Sequence, residues 1–223
     1  MTEETEKPEL TLNAFGLSMD QLLGQLTSLD PDSKVRITGA SEAMSGLLAG
    51  LDLSLELAIQ GNVGQFALMA SRRAVVDVFG NAAGSCGHSL QSGSILVRGD
   101  SANYLAAYAL GGYIAVHGRA GDFAAYGLSG ADILVRSRCG DGAGAQMRSG
   151  TLVLGNGCGE QLGLGMTGGT IYVRGEVGSV AEGVQAGRLK ETDTIRLSLM
   201  LVRAGIKTTF EKFQVFRARG DRG

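Results

Sequence analysis

The chain has 223 residues, 20 Lys and Arg against 22 Asp and Glu for a formal charge of −2, and 44% hydrophobic residues. A near-neutral balance excludes a general drive toward nucleic acid or an anionic membrane, and the hydrophobic share excludes a disordered chain. The 36 glycines are about twice the usual share of roughly 7%, but with two prolines and no three-residue period they do not make a collagen.

No run of about 18 apolar residues offers a membrane span. The start, residues 1–7, is acidic and lacks the basic and apolar regions of a signal peptide. Three cysteines, Cys86, Cys139 and Cys158, are an odd number with no disulfide framework, which fits a reducing compartment. The expected location is cytoplasmic.

Residues 1–56 read as a lead-in and cap. Ser18-Met-Asp-Gln21 has the form of a capping box followed by helix-spaced leucines, so the spacing predicts a helix over 19–29, stopped by Asp30-Pro31-Asp32. Residues 35–38 read as a strand before Gly39. Residues 41–49 read as a second short helix covering the open end of a repeat region that begins at Leu57.

Residues 57–184 repeat about every nineteen positions as a short Val/Ile-rich strand and a glycine corner. Gly61, Gly80, Gly99 and Gly118 stand nineteen apart; Ser137 takes the next place, and Gly155 and Gly175 follow at eighteen and twenty. A period in this range denotes a solenoid whose units bury their apolar edges only against neighbours. Glycine suits such corners because it supplies positive φ or close backbone approach without a Cβ clash. A second glycine follows in most coils, at Gly64, Gly121, Gly140, Gly159 and Gly178, with Ala83 and Ala102 departing from the pattern. Seven coils at roughly 4.7–4.9 Å per strand step make a prism roughly 30 Å long.

Alternation assigns inside and outside. Leu57/Ile59, Val76/Val78, Ile95/Val97, Ile114/Val116, Ile133/Val135 and Ile171/Val173 point inward, while the short step after Ser137 leaves Leu152 and Val153 unassigned. Outward lies a mostly apolar row of Ala58, Leu96, Ala115, Leu134 and Tyr172, and beside it a basic row of Arg98, His117, Arg136 and Arg174. The basic row is either a set of solvated arginines or a face for an acidic partner; an apolar row marks an interface. Leu96, Arg98, Leu134, Arg136, Tyr172 and Arg174 are therefore the expected partner-docking residues.

Residues 185–223 read as a helix over 189–204, with Thr192 or Thr194 as N-cap and Gly205 as stop. The aromatic tail with Phe210, Phe213 and Phe216 is either a docking segment or the cap of the last coil.

Candidate chemistry is scarce. The string Gly163-Leu-Gly165-Met-Thr-Gly168 matches G-x-G-x-x-G, but it precedes a strand, whereas a dinucleotide site needs it to open a helix. Cys139 and Cys158, nineteen apart, have no histidine in their coils to complete a metal site. His88 and His117 lack the company of a nucleophilic triad. No catalytic, cofactor-binding or metal residue is assigned, and a hexapeptide-repeat acyltransferase is set aside because its six-residue sub-period is absent.

With strings such as Gly61-Asn-Val-Gly64 and Gly165-Met-Thr-Gly-Gly169-Thr-Ile-Tyr-Val-Arg174, residues 45–185 resemble the GXGXG β-helix domain of glutamate synthase, which also occurs as a separate subunit in complexes of the N-methylglutamate synthase type. The expected fold is all-β, a right-handed parallel β-helix of about seven coils with short helical caps at both ends. The resemblance implies a non-catalytic connector between amidotransferase-like and FMN/iron–sulfur synthase-like subunits, with those cofactors in the partners and none in this chain. A similar fold in the β-helical subunit of formylmethanofuran dehydrogenase or of the formyltransferase/hydrolase complex is the alternative.

Overall fold

The computed structural model describes residues 9–206 and 212–220. Residues 1–7, read as an acidic start, and Phe210 of the aromatic tail lie outside them. The described residues form β1 (Leu10–Asn13), α1 (Met19–Thr27), β2 (Ser33–Thr38), β3 (Leu55–Gln60), β4 (Val75–Phe79), β5 (Ser94–Val97), β6 (Tyr113–Val116), β7 (Ser129–Val135), β8 (Ser149–Leu154), β9 (Thr170–Arg174), β10 (Val184–Gly187), α2 (Glu191–Arg203) and β11 (Phe213–Ala218). Strands β1 to β9 pair in sequence order, all parallel, and β11 then lies antiparallel between β9 and β10. This is a parallel β-helix of about seven coils, its ladder begun by β1 and β2. The aromatic tail caps the last coil: Phe213, Val215 and Phe216 are buried.

Each coil has three walls. The first is the strand ladder, whose inward residues are those expected from alternation. Pairing of Leu152 with Ile171 and of Val153 with Tyr172 now places Leu152 inside and Val153 outside. The second wall is a row of single bridges through Val63, Ala82, Ser101, Ala120 and Cys139.

The third wall has a backbone that the repeat does not announce. In seven successive coils the residues at i, i+2 and i+4 have φ between +54° and +72°, as in Tyr104, Ala106 and Tyr108, or Phe66, Leu68 and Ala70. Hydrogen bonds explain how this holds. In the inner coils the two outer amides donate to the next coil and the middle one to the coil before: Tyr104 N–H to Asp122 O, Tyr108 N–H to Tyr126 O, and Ala106 N–H back to Cys86 O, at 2.7–2.9 Å. Non-glycine residues in the left-handed region cost roughly 1–2 kcal/mol each, so these inter-coil bonds and the burial of Leu48, Leu68, Ala106 and Ala125 must offset it.

Residues 41–49 belong to this wall and its approach, and are turns rather than the expected helix. The open end is covered by α1, whose capping box is as expected, Ser18 Oγ accepting from Gln21 N–H and Gln21 Oε1 from Ser18 N–H. Leu22 and Leu26 bury against the first coil, and Leu48 N–H, with no preceding coil to meet, points at Met19 Sδ 3.3 Å away.

The glycine corners have a cause other than positive φ. Asn62, Asn81 and Asp100 each accept the amide of the residue nineteen positions on, and Asn103, Asp122 and Asp141 form a second such ladder, all at 2.7–2.9 Å. A Cβ on Gly80, Gly99, Gly118, Gly121, Gly140 or Gly159 would overlap the side-chain oxygen of the Asn or Asp eighteen residues before it. Ala83, Ala102 and Ser137 follow Gln65, Gly84 and Arg119 at that distance, so their side chains meet no ladder oxygen. Gly61 and Gly175 do have positive φ, +114° and +99°. Gly155 is not in the corner column: strand register aligns it with Arg136 and Arg174, and the corner reads Gly118, Ser137, Asn156, Gly175 at an unbroken nineteen.

Gly99→Val and Gly118→Val should therefore destabilise the fold strongly. The contact is isolated most cleanly at Gly159, where the three nearest atoms to an added Cβ all belong to Asp141. Gly159→Ala should cost about 1–3 kcal/mol in chemical denaturation. In the background of Asp141→Ala it should cost about 0.5–3 kcal/mol less; strict additivity would refute the contact.

Candidate functional site

From Ala115 onward the outward row expected to dock a partner is already covered. Helix α2 lies across it, and Leu134, Val153 and Tyr172 are each no more than 1% exposed beneath Leu197, Met200 and Leu201. Leu134 and Tyr172 are thus corrected from docking residues to the seat of the chain's own helix. Leu96, at the margin of this cluster, is partly buried against it.

A buried carboxylate fastens α2 to that seat. Asp193 accepts from Tyr172 Oη at 2.6 Å and from Lys190 N–H at 2.8 Å, and pairs with Arg217 of β11. Lys190, rather than Thr192 or Thr194, is the N-cap residue. Burial alone would raise the Asp193 pKa, but the Tyr172 hydroxyl, the Lys190 amide and Arg217 together hold it below the ordinary carboxylate value. Burial, then the Asp193 hydrogen bond, pushes the Tyr172 hydroxyl up, so it stays a donor. At the other end of α2, Tyr113 Oη donates to Met200 O at 3.1 Å and Arg203 stacks 4.2 Å from the Tyr113 ring centroid.

The basic row divides. Arg98 pairs with Asp77, Nε to Oδ1 at 2.8 Å. His117, Arg136 and Arg174 border a recess of about 510 Å³ between the strand ends and the C-terminal end of α2. Arg174 Nε donates to Gly155 O at 2.7 Å, and its guanidinium lies 5.9 Å from the centroid of Phe213.

Other candidates are structural. The string at 163–168 builds the third wall and a corner: Gly163 and Gly165 have positive φ, and β9 comes after it. Cys86, Cys139 and Cys158 are buried free thiols. Burial pushes Cys86 up to about 12 and Cys158 up to about 11, and raises Cys139 as well, so all three stay protonated near neutrality. Among the described residues no group of three or more His, Cys, Asp or Glu is placed to hold a metal ion, and no helix is long and apolar enough to cross a membrane.

A surface that the alternation of the strands did not reveal lies on the third wall. Phe66, His88, Tyr104, Tyr108, Phe123 and Tyr126 form one continuous aromatic patch, with ring centroids 5.2–6.2 Å apart. Tyr104 and Phe123, nineteen residues apart, stack at 13°. Phe66, Tyr104 and Tyr108 remain 40–47% exposed. The signal in the sequence was one repeat column that holds Phe66, Tyr104 and Phe123.

The GXGXG motif family model matches residues 40–219. No curated protein matches the chain at a significant level.

Tyr172→Phe should loosen α2 by about 1.5–3 kcal/mol, the worth of a hydrogen bond to a charged group, read as faster amide exchange in α2. Because the folded Asp193 pKa is depressed, its contribution is present above the unfolded value of about 3.9 and lost as pH falls below it. Asp193→Asn should flatten that acid dependence; an unchanged profile would contradict the assignment.

Proposed function

The chain belongs to the GXGXG motif family, the glutamate-synthase-related domain, and from that premise we propose that it is a non-catalytic scaffold. In this reading it connects the amidotransferase-like and FMN/iron–sulfur synthase-like subunits of a glutamate-synthase-like complex of the N-methylglutamate synthase type, and the cofactors belong to those partners. The family match carries the reading. The docking face we assign is the aromatic patch on the third wall.

A cost argument supports that face. Phe66, Tyr104, Tyr108 and Phe123 all have positive φ, where bulky residues are strained. At the equivalent places of other coils the chain uses glycine, as in Gly46, Gly50, Gly127, Gly142 and Gly165. Aromatic side chains have therefore been placed where the backbone alone favours none. Exposed, clustered aromatics are the residues that dominate protein interfaces.

Tyr104→Gly with Tyr108→Gly separates docking from folding, because glycine relieves the backbone strain while removing the rings. Stability should stay within about 1–2 kcal/mol of the parent, the relieved strain offsetting lost ring contacts. Co-purification with the coexpressed amidotransferase-like and synthase-like subunits should be lost. A double variant that co-elutes with them as the parent does would overturn the assignment.

A further inference from the structure

Two departures from the repeat meet in the recess beside Gly155. The corner column, glycine in four successive coils, carries polar side chains at Ser137 and Asn156. The outward column, Arg98, His117 and Arg136 in the coils before, has no side chain at Gly155 and returns to Arg174 in the next. Gly155 and the substituted corners line the recess, with Arg136 and Arg174 on either side. Their strands are two steps apart, roughly 9.5 Å.

The recess has one polar and one apolar side. Val153, Leu201, Ile206 and Phe213 supply the apolar side, and among the described lining residues none is Asp or Glu. The carbonyls at the end of α2 are engaged on this side, Met200 O by Tyr113 and Ala204 O by the His117 ring at 3.2 Å, which lessens the negative end of the helix. Arg136 is exposed and has no carboxylate within ion-pairing distance among the described residues. Its planar fork suits a carboxylate.

We propose that this recess binds a small organic carboxylate, its anionic group on Arg136 with Ser137 and Asn156, its carbon body on the apolar side. A bare phosphate would leave that apolar side unused. The volume lies within the roughly 300–1,000 Å³ of small-molecule sites. The site goes beyond the scaffold reading and does not rest on it.

Calorimetric titration of the whole chain with benzoate, glutarate, inorganic phosphate and uncharged benzamide tests it. At least one carboxylate should bind with a millimolar or tighter dissociation constant, with phosphate and benzamide at least tenfold weaker. Arg136→Gln should weaken that binding at least tenfold at an unchanged melting temperature. Ser137→Gly, which restores the corner glycine and so keeps the fold, should weaken it several-fold. Absence of carboxylate binding, phosphate binding as tight, or full binding by Arg136→Gln would overturn the site.

Discussion

An oxygen of Asn or Asp in one coil occupies the space that a Cβ would need in the next, and the stacking of the coils turns on that contact. The same oxygen accepts the neighbouring amide, so it bonds the coils together and leaves room only for glycine beside it. Three of the six ladder acceptors are aspartates, whose charge strengthens the bond. The ladders also keep the third wall in step. Within a coil its alternating backbone makes turn bonds, such as Ala107 N–H to Tyr104 O at 3.2 Å and Ala109 N–H to Ala106 O at 3.1 Å, and in the inner coils its left-handed residues direct their own amides to carbonyls of the coils before and after. A coil out of register would lose both ladders and the wall at once.

That constraint decides which surfaces are free. The strand wall buries the later part of its outer row, from Ala115 to Tyr172, under α2, held at one end by Asp193 and at the other by Tyr113. The bridge corners are occupied by the Asn and Asp ladders. Among the surfaces left open are the aromatic patch on the third wall and the recess where the outward column has no side chain at Gly155. Both are places where the chain departs from what the solenoid alone would favour, and both bear on the proposed roles.

Much of the fold was legible because its signals are local or periodic. Ser18 and Gln21 announced α1, and the inward Val and Ile pairs announced the strand ladder. The step at Gly155 misled because glycine looked like a corner, while Asn156 holds that place; backbone register, not residue type, decides it. The third wall was hidden because Leu68, Tyr104 and Phe123 are poor left-handed residues, and only contacts with neighbouring coils hold them there. The outward row at Leu134 and Tyr172 was read as a docking face for a partner, because alternation shows that an apolar row needs a cover but not that the cover is α2 of the same chain. Asp193 was missed for the same reason: its partners Tyr172 and Arg217 lie on other elements.

Coil-to-coil register is tested most directly by deleting one repeat whole and one repeat short. Removing residues 100–118, a full nineteen, should leave a shorter β-helix with a cooperative melt and retained sheet signal in circular dichroism, because each coil then meets an equivalent neighbour. Removing residues 100–117 shifts every later ladder by one position and should abolish cooperative melting. If both deletions fold alike, or the eighteen-residue deletion is the more stable, register between coils does not hold the structure together.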